Sequence, residues 1–148
     1  MGVLIDKSMA KIAYKFIVQS PNKMRYPTVG DYYKTKNGWV IVSADLGNSN
    51  YNFLVFLHEF IELYLTQRRG ISEPKIKKFD KWFERERSKG HFKQMAGPGR
   101  HPKSPYRREH IFAEKVERML IKELGISQKQ QVKTEDKIHK KIQKFKSL

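Results

Sequence analysis

His58-Glu59-x-x-Glu62 stands inside an apolar run from Phe53 to Leu65 whose only other members are hydrophobic or aromatic. Read as a helix, the i and i+4 spacing puts His58 and Glu62 on one face, with Glu59 beside them. A buried carboxylate with no partner is costly, so a cation, a basic side chain or a water-filled cleft must compensate it. His-Glu-x-x-Glu is close to the zinc-protease pattern His-Glu-x-x-His, in which the first and last residues bind zinc and the Glu after the first His is the general base. Here Glu62 replaces the second His, and a carboxylate is also a zinc ligand. The bland reading is a hydrogen-bonded core in which Glu62 pairs with Arg69 or Arg107.

Two further helical stretches carry the same residue types. His110 and Glu114 are again i and i+4, Glu117 continues their face, and Ala113, Val116, Leu120 and Leu124 mark the apolar side. Asp80 lies inside the apolar stripe Ile76, Phe79, Phe83, and Glu84 follows it at i+4. If the three helices pack together, His58, Glu62, Asp80, His110 and Glu114 converge as metal ligands. Two imidazoles with carboxylates suit a divalent ion, zinc first, with iron or manganese as the other choices. Glu59 is then the candidate general base, and Tyr106, with Arg107 or Arg108 near it, the candidate for stabilising a developing oxyanion. The competing account is buried ion pairing with the many arginines.

The elements that must position these residues are legible as a pattern. Lys11 to Val18 reads as a strand, and Ser20 to Gly30, with two prolines, as a loop. Asp31–Lys36 and Trp39–Ala44 flank Asn37-Gly38, the strongest short-range hairpin signal. Tyr51 to Arg69 reads as a helix buried on all sides and closed by Gly70. Ser72-Glu73-Pro74 opens a second helix running to about Ser88. Lys89 to Lys103 is a basic Gly/Pro-rich loop that turns at Gly97-Pro98-Gly99. Ser104 and Pro105 open a third helix that ends before Gly125. The expected fold is α+β: a small N-terminal antiparallel sheet, strand plus hairpin, then three packed helices and a basic C-terminal tail or helix. Residues 1–10 read as a flexible leader, 11–125 as one domain and 126–148 as the tail.

Composition narrows the function classes. The chain has 148 residues and no Cys, which excludes disulfides, thiolate metal sites and Cys nucleophiles. No apolar run approaches the roughly 18 residues of a membrane span, and no secretory signal is evident, so a cytoplasmic protein is expected. The formal net charge is +16, and the excess runs along the whole sequence: nine bases against five acids in 1–70, fifteen against eight in 71–125, seven against two in 126–148. Such a balance attracts polyanions, nucleic acid above all. Lys75, Lys77, Lys78, Arg85, Lys93, Arg100, Lys103, Arg107 and Arg108 are the candidate phosphate contacts. The alternative to a metal-dependent hydrolase is therefore a nucleic-acid-binding accessory protein whose His/Glu cluster is structural. A scaffold or assembly component is the third reading.

The pattern Arg25-Tyr26-Pro27-Thr28-Val29-Gly30-Asp31, Leu57-His58-Glu59 to Glu62, Arg69-Gly70-Ile71, Phe79-Asp80 with Phe83-Glu84, Pro98-Gly99, and Pro105-Tyr106-Arg107 with Glu109-His110, Ala113 and Glu117 resembles a family of small phage and prophage proteins of unknown function. The resemblance covers about residues 24–125, and a more distant one is to zincin-like metalloproteins. Arg100 stands where such proteins commonly carry an acid. The resemblance implies that His58, Glu59, Glu62, Asp80, Glu109 and His110 belong to one site. It supplies no activity.

Overall fold

A computed structural model describes residues 13–146; the expected leader, 1–10, and the start of the expected first strand lie outside them. Three strands, β1 (Tyr14–Gln19), β2 (Gly30–Thr35) and β3 (Gly38–Ala44), precede four helices, α1 (Ser49–Arg68), α2 (Glu73–Ser88), α3 (Arg107–Leu124) and α4 (Gln128–Lys146). The fold is α+β, as expected. Of the two expectations for the basic C-terminal stretch, tail or helix, the helix holds over Gln128–Lys146. No helix among the described residues is long and apolar enough to cross a membrane.

The sheet departs from the expected antiparallel arrangement. β2 and β3 form the expected hairpin, but its turn residues are Lys36 and Asn37, one position earlier than Asn37-Gly38: Gly38 already lies on β3 opposite Thr35, and Gly30 stands opposite Ser43. β1, however, pairs with β3 in parallel, Tyr14 opposite Trp39 and Gln19 opposite Ala44, so the order is β1-β3-β2. The proline-bearing loop after β1 carries the chain past one strand position, and β3 fills the slot. Composition fits β3 for that place: Val40 through Ala44 are all buried, as a central strand covered on both faces requires.

Alternate β3 side chains serve opposite layers. Ile41 packs with Tyr32 and Leu63 of α1. Val40, Val42 and Ala44 pack with Met24 and with Ile142 of α4. The sheet thus lies between α1 and α4, and α3 packs along α1. α1 is less buried than its composition suggests, because Phe53 and Tyr64 stay about half exposed.

The helix ends follow local rules. Asn48 caps α1, accepting from the backbone N–H of Asn50 and Tyr51, and Ser72 caps α2 through Lys75 N–H. Gly125, at φ 64°, closes α3 in the left-handed conformation. α3 begins two residues later than Pro105 would place it: Tyr106 is the cap residue, and Ser104 Oγ accepts from the Tyr106 N–H at 3.4 Å.

Candidate metal centre

α1 and α3 supply the centre. Because α1 keeps its His58–Glu62 face toward α3, those side chains meet His110 from the first turns of α3. His58 Nε2 is 2.9 Å from Glu62 Oε2 and 3.1 Å from His110 Nδ1. Glu62 Oε2 also contacts His110 Nδ1. One donor atom from each of His58, Glu62 and His110 lies within 4.8 Å of the others, so this group can hold a metal ion. Glu62 is buried, and the two imidazoles are only slightly exposed.

The outer edges of both rings are also engaged. His58 Nδ1 faces Glu117 Oε1, and His110 Nε2 is 2.6 Å from Glu114 Oε1. An ionised carboxylate only accepts hydrogen bonds, so each outer nitrogen carries the proton. In the neutral imidazoles, the inner nitrogens then present lone pairs to each other and to Glu62. Three electron-pair donors aimed at one point require a cation between them, either a metal or protons. Carboxylates on the far nitrogens are what orient imidazole ligands in metal sites. Tetrahedral zinc ligands at their usual bond lengths sit about 3.3 Å apart. The 2.9 and 3.1 Å separations lie a few tenths of an ångström inside that spacing.

The electrostatics express the same crowding. Burial alone would lower the proton affinity of His58, but Glu62 and Glu117 outweigh it and raise the pKa well above the ordinary range. Burial is likewise overcome at His110, where Glu114 and Glu62 raise the pKa to about 9. Glu62 is held low by His58 and His110 despite its burial. Glu59 moves the other way: burial and then the neighbouring Glu62 raise its pKa.

Of the other expected ligands, neither Asp80 nor Glu114 is a member of the three-residue group. Asp80 accepts the Tyr106 hydroxyl at 2.8 Å, and burial pushes its pKa up to about 7. Glu114 is shared between His110 and Arg100, whose Nε is 2.8 Å away, and its pKa falls to about 2 as these two overcome its burial. The Arg in place of an acid after Pro98-Gly99 thus holds the carboxylate that orients His110. Glu109, placed with the site by the family resemblance, is buried in an ion pair with Arg69. In the sequence Glu117 only continues the His110 face; its contact with His58 crosses between helices and leaves no local signal.

Two glycines seat the working side chains. A Cβ on Gly99 would lie 2.5 Å from His110 Nδ1 and 2.8 Å from Cδ2. A Cβ on Gly30 would lie 2.5 Å from Glu59 Oε1. Backbone without side chain is therefore what lets the imidazole and the carboxyl occupy these positions.

Comparison of the chain with protein-family models, with curated proteins and with solved structures finds no match. The centre opens on a cleft of about 1080 Å³ whose walls include Glu59, Asp80 and Tyr106. Lys77, Lys81, Arg85, Arg87, Arg100 and Arg118 also line it. Lys75, Lys78, Lys93, Lys103, Arg107 and Arg108 are exposed outside that lining. Lys77 is less exposed and paired with Glu73.

Proposed function

We propose that the protein is a divalent-metal-dependent hydrolase, zinc first among the ions, with His58, Glu62 and His110 as ligands and Glu59 as general base. The observation that carries this reading is the inward convergence of three donors whose outer imidazole nitrogens are already held by Glu117 and Glu114. Three protein ligands facing a cleft match a catalytic zinc site, which keeps a position open, better than a closed four-ligand structural one. A bound ion would supply Lewis acidity and lower the pKa of water towards about 7. Glu59, beside the ligands and raised in proton affinity, takes the proton of the attacking water. Tyr106 is fixed by Asp80 and lines the cleft. The Glu114–His110–Glu62–His58–Glu117 chain holds the outer proton of each imidazole against its carboxylate, so that it is the inner nitrogens that would meet an ion.

Elemental analysis of purified protein tests the centre. Wild type should carry close to one zinc, iron or manganese per chain, and His58→Ala and His110→Ala should each lose it. Gly99→Ala should lose most of it too, although Gly99 supplies no ligand, because its Cβ displaces the His110 ring. Wild type that neither carries an ion nor takes one up on titration would sink the reading.

A second reading has its own observation. Lys75, Lys78, Arg85, Lys93, Lys103, Arg107 and Arg108 are exposed, and none makes an ion pair with the described residues. Solvated cations of this kind favour a nucleic-acid partner, as substrate or as scaffold. Binding to duplex or single-stranded DNA should then weaken about linearly in log–log with salt, with a slope that counts the phosphates contacted. A salt-independent interaction would remove this reading.

A further inference from the structure

Two buried side-chain nitrogens have no hydrogen-bond partner among the described residues: Arg87 Nε and His139 Nε2. Both residues line the cleft that holds the metal centre, Arg87 from the last turn of α2 and His139 from α4. A buried polar nitrogen without a partner is costly, and proteins rarely leave one so; Arg87 Nε can only donate, and His139 Nε2 donates in one of its two tautomers. Both lie on one cavity, and the charge of Arg87 is felt at His139, so a single anionic acceptor is the simplest partner for the pair.

Arg87 is held ready for such a group. Its guanidinium carbon sits 4.8 Å from the centroid of the Phe83 ring, which is fully buried. Its Nη2 donates to Ala96 O at 3.3 Å, and the Glu84 carboxylate is no closer than 3.7 Å. The stack and the carbonyl fix the planar fork, and the Nε edge is left over. An arginine fork so fixed matches an oxyanion in geometry as well as charge. α4 is anchored on the other side by Ile142, buried against the sheet, so His139 is not on a loose arm. Burial, and then the charge of Arg87, hold the His139 pKa below the ordinary imidazole range; Asp136 opposes this. The charge of Arg87 thus reaches His139 across the cleft and helps keep that ring from becoming a second cation. An anionic oxygen between them would remove that conflict.

We propose that Arg87 and His139 form an oxyanion-binding site on the cleft wall, separate from the metal ligands, that receives a phosphate or carboxylate group of whatever occupies the cleft. The site stands on residues that the metal reading does not use, so either can fail alone.

The test uses the full-length, isotopically labelled protein at constant ionic strength. Inorganic phosphate and acetate are titrated separately, and the Arg87 Nε–H and His139 ring signals are followed by NMR. Saturable shifts of both signals are expected, with affinity at least 10-fold weaker in Arg87→Gln and in His139→Phe and with metal content unchanged. A response to phosphate alone assigns a phosphoryl ligand, and a response to acetate alone a carboxylate. If neither signal responds saturably to either anion, the proposal is overturned. It is also overturned if the phosphate response disappears in His58→Ala, since the anion would then sit on the metal. Should a variant fail to fold, the wild-type signals and His139→Gln decide.

Discussion

Between pH 8 and pH 6 the affinity of the centre for zinc should fall by about four orders of magnitude, because each ion bound displaces two protons. In the apo protein His110, with its pKa near 9, and His58, raised well above the ordinary range, are both imidazolium over that interval. Their inner N–H groups then donate to Glu62. An ion needs the same nitrogens as lone pairs, so both protons must leave, and the apparent dissociation constant changes by about 100-fold per pH unit. The exchange is electrically even. The Glu62, Glu114 and Glu117 carboxylates are balanced by Arg100 and two imidazolium charges, and a divalent ion replaces those two charges without adding one. The sign for stability follows from linkage. The folded pKa of His110 lies above its ordinary value, so its contribution to the apo protein is complete below about pH 6.5 and is lost as pH rises through about 9. Zinc takes over as the protons leave, and the thermal shift produced by zinc should grow from pH 6 to pH 9. Chelator competition across this range reads the slope, and calorimetry in buffers of different ionisation enthalpy counts the protons. A slope near zero would mean that the imidazoles are neutral without the ion and that the outer carboxylates do not act as described.

What the sequence revealed of this centre, and what it hid, have one physical origin. Spacing within a helix reports which residues share a face, and His58 with Glu62, and His110 with Glu114, do lie where 3.6-residue periodicity puts them. It does not report which face of a neighbouring helix comes opposite. Asp80 is half-buried on the inward side of α2 that its stripe implies, yet Tyr106, at the cap of α3, takes its carboxylate. Arg100 reaches Glu114 from a loop fourteen residues away, and Glu117 meets His58 across 59 residues. No local pattern encodes those meetings. The same limit appears in the sheet: the Asn-Gly pair marks the β2–β3 hairpin, one residue off its actual Lys36-Asn37 turn, whereas β1 chooses its neighbour through a ten-residue loop with no comparable signal. α4 reads as either tail or helix because its apolar stripe is thin, Val132, Ile138, Ile142 and Phe145 among many lysines. It is held by tertiary burial of Ile142 beside Met24 and Val42, and propensity says little about that.

Replacing Glu59 with Gln should leave zinc uptake near wild type and lower kcat by about 10²–10⁴-fold on a hydrolysable ester or phosphodiester, with KM little changed. The amide has nearly the shape of the carboxyl, so the seat against Gly30 is kept, but it cannot accept a proton. Glu62→Gln makes the contrast, since the amide weakens a ligand that must carry charge, and metal and activity should fall together. Gly30→Ala approaches Glu59 from outside: the new Cβ, 2.5 Å from Oε1, forces the carboxyl away while His58, Glu62 and His110 are untouched. It should therefore reproduce the Glu59→Gln pattern, metal retained and kcat lost. The pH profile supplies a readout that a merely structural role would not move. Burial and Glu62 raise the Glu59 pKa, a divalent ion at the ligands lowers it again, and the wild-type rate should rise with pH as this carboxyl ionises. That limb should vanish in Glu59→Gln. A variant that keeps the limb and most of the rate would place the general base elsewhere in the cleft, with Asp80, its pKa near 7, the next carboxylate to replace.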